Sequence, residues 1–206
     1  SLVKGVYRYL GNELEKRAGV TRSGSLQVAE TYPPYLEMAR KGNGWSAMNT
    51  GAVAALVVRP STTANFTLIN NYPQATGICF IIDRIFAFNL VSTAAEARAG
   101  MWYCVHRNGG NAATTASITV INGNTGKLKT IAASNQGPVL TTAMSVTDDG
   151  WFPIGPFSTV EPTGVLPGAV MEYKAEGRLI IPPGGSISTQ VVASVTGNTY
   201  TTGFAW

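Results

Sequence analysis

The chain is short of charge. Only 13% of its 206 residues are Asp, Glu, Lys or Arg, against about 25% in an average globular domain. It has one histidine and two cysteines. Catalysis and metal binding draw on titratable or ligating side chains, so the scarcity narrows the chemistry at once. A zinc centre takes four Cys or His ligands, or three plus a water. The whole chain offers Cys79, Cys104 and His106. A hydrolytic triad needs a base beside its nucleophile, and His106 is the one imidazole. No Gly-x-Ser-x-Gly elbow surrounds a serine. Cys104 and His106 share a strand face at i and i+2, but no neighbouring residue marks a third, orienting group. Gly42-Asn43-Gly44-Trp45 matches no phosphate-binding motif and reads as a joint. Asp148-Asp149-Gly150 lacks the ligand spacing of a calcium loop and reads as a turn. Neither an enzyme, nor a cofactor, nor a metal is expected.

Long apolar runs are also missing. No stretch reaches the ~18 residues of a membrane helix. The longest, residues 77–91, is interrupted by Asp83 and Arg84. The first residues show no secretory pattern, and no membrane partner is expected. Net charge is +4, without the basic cluster of a nucleic-acid binder, which argues against a specific nucleic-acid partner. Cys79 and Cys104 sit in apolar runs and are expected as buried free thiols, with a cross-strand bridge as the alternative.

What the chain does have is strands. Residues 78–90 read Ile-Cys-Phe-Ile-Ile-Asp-Arg-Ile-Phe-Ala-Phe-Asn-Leu, rich in β-branched and aromatic side chains. Residues 53–58, 66–69, 101–106, 168–173 and 186–195 are further candidates. Residues 118–121 lead into Asn122-Gly123-Asn124-Thr125-Gly126 and then residues 127–132, a hairpin signal. The end, residues 199–206, alternates polar and apolar positions. Short strands between Gly, Pro and Asn turns predict an all-β protein, an antiparallel jelly-roll-like β-sandwich over residues 49–206. A helical turn is predicted at residues 93–98.

Residues 1–48 differ. They hold Lys4, Arg8, Glu13, Glu15, Lys16, Arg17, Arg22, Glu30, Glu37, Arg40 and Lys41, and the extended Tyr32-Pro33-Pro34-Tyr35. Residues 12–17 could form one or two helical turns. This zone reads as an extended N-terminal arm laid along a partner. Tyr7, Arg8 and Tyr9, alternate aromatics around a cation, suit such docking, as do Tyr32 and Tyr35. Trp151, in loop-like Asp149-Gly150-Trp151-Phe152-Pro153, reads as an exposed contact for a partner or a glycan. Trp102 and Trp206 lie in strand patterns and read as core.

Two stretches carry a family resemblance. Ser23-Gly24-Ser25-Leu26-Gln27-Val28-Ala29-Glu30-Thr31-Tyr32-Pro33-Pro34-Tyr35, continuing to Gly42, resembles the N-terminal segment of tailed-bacteriophage structural proteins. Leu179-Ile180-Ile181-Pro182-Pro183-Gly184-Gly185-Ser186 through Gly203-Phe204-Ala205-Trp206 is similar to the last strands of jelly-roll virion proteins. The middle of the chain matches in style alone. The resemblance implies a non-enzymatic virion component of decoration, minor-capsid or head-fibre type, assembled in a bacterial cytoplasm. It would form a homo-oligomer, a trimer, and dock on the major capsid or another virion protein. The alternative is a carbohydrate- or receptor-binding sandwich module. No catalytic residues come with either.

Overall fold

Alternation of apolar and polar side chains decides most of this structure, because successive strand residues point to opposite faces. A computed structural model describes residues 3–9, 12–20, 26–27, 39, 42–93, 98–107, 118–124, 128–130, 138–158 and 170–206. Its strands are β1 (Val3–Tyr9), β2 (Asn12–Val20), β3 (Leu26–Gln27), β4 (Trp45–Met48), β5 (Val53–Ala54), β6 (Thr63–Asn70), β7 (Phe80–Val91) and β8 (Ala99–His106). They continue with β9 (Thr119–Asn122), β10 (Leu128–Thr130), β11 (Pro138–Ser145), β12 (Phe152–Ser158), β13 (Val170–Ile181), β14 (Ser186–Ala193) and β15 (Thr199–Ala205).

The chain divides into two units, residues 1–37 and 38–206. In the first, β1, β2 and β3 form a small antiparallel sheet. Its register sets Tyr7 opposite Leu14 and Arg8 opposite Glu13. The helical turns expected at residues 12–17 are therefore strand. So short a segment does not nucleate a stable helix alone, and pairing with β1 supplies ladder hydrogen bonds instead. The arm is extended in backbone but folds back on itself.

In the second unit, two antiparallel sheets carry the strands. The first runs β10-β9-β4-β15-β7-β13, with β5 also on β15, and the second β11-β6-β14-β8-β12. Eight of these strands, taken in chain order, are β4, β6, β7, β8, β12, β13, β14 and β15. The first, eighth, third and sixth lie side by side in one sheet. The second, seventh, fourth and fifth lie side by side in the other. That is the strand order of a jelly roll. The expected fold is the observed one, and β9–β10 is the hairpin read from the Asn-Gly turn. The domain boundary moves, however. Trp45–Met48, placed by sequence at the end of the arm, pairs with β15 as an inner strand of the first sheet. The helical turn expected at residues 93–98 falls largely outside the described residues.

The core lies between the sheets. Phe66, Leu68, Ile82, Ile85, Met101, Ile187, Tyr200 and Phe204 are all nearly or fully buried there. Phe66 of one sheet stacks on Phe204 of the other, with ring centroids 5.5 Å apart. Sheet edges are blunted. β11 starts at Pro138 and β12 contains Pro153 and Pro156, which cannot donate to a ladder. β13 slips register between Lys174 and Leu179, with φ of 49° at Glu176 and 79° at Gly177. Such bulges discourage edge-to-edge pairing.

The outer face of the first sheet is less protected. Met48, Ile121 and Val170 are exposed there, and Phe86 and Phe88 pack edge to face, 5.7 Å apart. The Phe86 ring lies over Gly203, its register partner in β15. A Cβ at Gly203 would press on that ring and stand 2.6 Å from the Ala47 carbonyl oxygen. Gly203→Ala should therefore lower stability by about 1–3 kcal/mol, read as a lower midpoint in thermal unfolding. An unchanged midpoint would mean that β4 and Phe86 yield freely.

Candidate functional site

Polar chemistry in the described residues gathers on the outer face of the second sheet. The reason is local. β14 runs between β6 and β8 and is buried along almost its whole length. Its alternation sends Ile187 and Val191 into the core, which leaves Ser188 and Gln190 on the other face. A buried hydroxyl needs a partner.

Ser188 finds two. Its Oγ lies 2.9 Å from Thr67 Oγ1, on the neighbouring strand β6. It also lies 2.9 Å from His106 Nε2. His106 Nδ1 is 2.8 Å from Asp149 Oδ2. A carboxylate only accepts, so Nδ1 carries the proton and donates to Asp149. Ser188 Oγ thus bridges His106 Nε2 and Thr67 Oγ1, and a hydroxyl can serve either contact as donor or acceptor. Cys104 lies beside this line, its Sγ 3.9 Å from His106 Nδ1.

Serine, histidine and aspartate thus stand in hydrolase-triad order. The sequence reading expected no group to orient His106; Asp149 does so, from 43 residues away. Nothing at His106 signals that spacing, since a turn of β11–β12 brings the two together. The line differs from a catalytic one at its nucleophile. Ser188 has no solvent exposure and its hydroxyl is held between two partners. A substrate carbonyl has no path to it in this conformation.

What the line does is fasten the segment 146–151 across the sheet. Three further contacts tie it to residues 59–62, and a fourth closes its own turn. Val146 N donates to Thr62 O at 2.9 Å. Arg59 reaches both Asp148 oxygens, at 2.8 and 3.1 Å. Gly150 N donates to Asp148 Oδ1, and with φ of 105° Gly150 makes the expected turn. Trp151 Nε1 donates to Ser61 O at 2.8 Å. The hydrogen bond from Arg59 holds the Asp148 carboxyl below its usual range. Burial pushes the Cys104 thiol up, against a smaller opposite pull from the Asp149 backbone N–H.

Trp151 is where the sequence reading needs its main correction. It is 5% exposed and packs with Ala64, Cys104 and Val146. The indole covers the outer face of the sheet and offers no ring to a ligand. Its place is taken by Trp102, which is half-buried on the same outer face and not in the core between the sheets. Tyr7, Arg8 and Tyr9 lie together on β1 of the separate N-terminal unit. Tyr32 and Tyr35 lie outside the described residues. Trp206 packs against the core as expected, with its ring 6.0 Å from Phe80. Both cysteines are free, but Cys79 is exposed, just ahead of β7. Its apolar run begins one residue too early to bury it.

No three His, Cys, Asp or Glu side chains among the described residues are arranged to hold a metal ion. No helix among them is long and apolar enough to cross a membrane. No family model, curated protein or solved structure matches the chain.

In the native protein a thiol reagent should modify one cysteine, Cys79, and reach Cys104 only on unfolding; equal rates at both would show that the Trp151 cover opens readily. Asp149→Ala strips His106 of its partner and should cost about 1–3 kcal/mol in denaturant unfolding. Arg59→Ala should cost much less, because that pair is solvent-exposed. The Arg59–Asp148 contribution should be present above the ordinary carboxylate range and fade as pH falls through the depressed value. Equal costs for the two substitutions would contradict the fastening role of His106.

Proposed function

We propose that this chain is a non-enzymatic structural component of a virus particle, a phage capsid decoration or minor capsid protein. It docks through its N-terminal unit and self-assembles through the body. The observation that carries this reading is the jelly-roll strand order, joined to a separate N-terminal β unit. Jelly rolls build viral capsid proteins, and also lectins; the inference from fold to role is one of analogy.

Three features favour the particle role. First, a three-stranded sheet as small as the N-terminal one is marginal in water and gains from a partner surface. Second, the blunted edges of β11, β12 and β13 disfavour open-ended strand addition. Third, the outer face of the first sheet exposes Met48, Ile121 and Val170 around Phe86 and Phe88. Closed symmetry would bury such a face. The segment resemblance to phage structural proteins points the same way. The receptor-binding alternative draws support from Trp102, an aromatic on an outer sheet face.

The test is removal of residues 1–37. Residues 38–206 should still unfold cooperatively, and should no longer co-sediment with shells of the major capsid protein of the particle in which the chain is found. Intact chain should co-sediment. A fragment that fails to fold, or one that still sediments with the shells, would refute docking through the N-terminal unit.

A further inference from the structure

An open depression of about 340 Å³ lies on the outer face of the second sheet, bordered by Arg98, Gly100, Trp102, Val192, Ala193 and Ser194. Gly100 opens it. A glycine inside a strand weakens the strand, and it often marks a bulge or the close approach of another group. Gly100 has no positive φ to explain it. Its ladder to β14 is regular, with Gly100 opposite Val192 and Trp102 opposite Gln190. On its other side β12 leaves the ladder. Ile154 pairs with Met101 and Ser158 with Ala99. The three residues 155, 156 and 157 therefore pass where Gly100 alone stands opposite. Bulges of this kind collect next to binding sites.

The two ends of the depression differ in chemistry. Trp102 stands half-buried at one end, and Arg98 is exposed at the other. They are four residue steps apart, about 13 Å along an extended chain. Beside Trp102 in the register is Gln190, 1% exposed, whose Oε1 accepts no hydrogen bond within the described chain. An indole face, a small apolar floor and a guanidinium select a flat, partly apolar, anionic ligand. A pyranose ring lays its C–H face on an indole, and a carboxylate meets a guanidinium through two parallel hydrogen bonds.

We infer that this depression binds a short acidic saccharide, two or three sugar units long. Trp102 lies under one ring and Arg98 holds the carboxylate of another. Gly100 keeps the floor clear. The site stands whether the chain is a particle subunit or a free binding module, and it gives either one a means of holding a carboxylated glycan.

Titration calorimetry on the full chain tests it, with trigalacturonate and 3′-sialyllactose as acidic probes and maltotriose as the neutral one. At least one acidic probe should bind, and maltotriose should bind at least tenfold more weakly. Trp102→Ala should weaken binding at least tenfold. Arg98→Gln, at an exposed position, should erase the preference for acid and leaves the test open should Trp102→Ala fold poorly. Trp151→Phe should leave binding unchanged. No heat from either acidic probe overturns the site. So does binding that survives both Trp102→Ala and Arg98→Gln, or equal affinity for maltotriose. None of these outcomes bears on sedimentation with capsid shells, so the two readings fail separately.

Discussion

The second sheet depends on one constraint, the burial of a polar strand face. β14 is covered on both sides, yet half of its residues are Ser, Thr or Gln. A hydroxyl left unpaired there costs free energy, a cost that Ser186 Oγ bears, with no partner among the described residues, and Ser188 escapes. Thr67 and His106 bond Ser188, and Asp149 orients His106. The same line pulls the 146–151 segment down, which buries Trp151 over Cys104. One local need thus fixes a loop, an indole and a thiol. The chain's one histidine serves as a structural tie, and the triad-like order of the atoms is a product of that need.

The 146–151 segment covers one part of this face and leaves the depression beside Trp102 open. The edges of the body are broken by prolines and a bulge. Some of its exposed apolar residues, Met48, Ile121 and Val170, lie on the far side of the first sheet with the Phe86–Phe88 pair. The N-terminal sheet is a unit of its own. These surfaces are the physical basis for the particle role proposed above.

Much of the fold was legible in the sequence because strand periodicity is local. Residues 78–90, 101–106 and 199–206 announce β7, β8 and β15 by composition and alternation. The Asn-Gly turn announces the β9–β10 hairpin. Less legible was anything set by contacts far along the chain. Asn12–Val20 carries more helix formers than strand formers, and pairing with β1 overrides that preference. Trp45–Met48 resembles linker until β15, about 150 residues later, supplies its ladder. Trp151 follows Asp-Gly and so reads as exposed; its burial depends on His106, Ser61 and Cys104, none of them near in sequence. Trp102 fails in the opposite sense. Alternation correctly puts it in a strand, but it cannot say which face of that strand meets the other sheet.

The central claim is that this body assembles with itself through surfaces a lone chain leaves bare. The most direct measurement is the absolute mass of the full chain in solution, by light scattering after size exclusion. The account predicts a closed oligomer, a trimer of three 21.7 kDa chains, holding its mass on dilution. A single species with the mass of one chain at every concentration would contradict it.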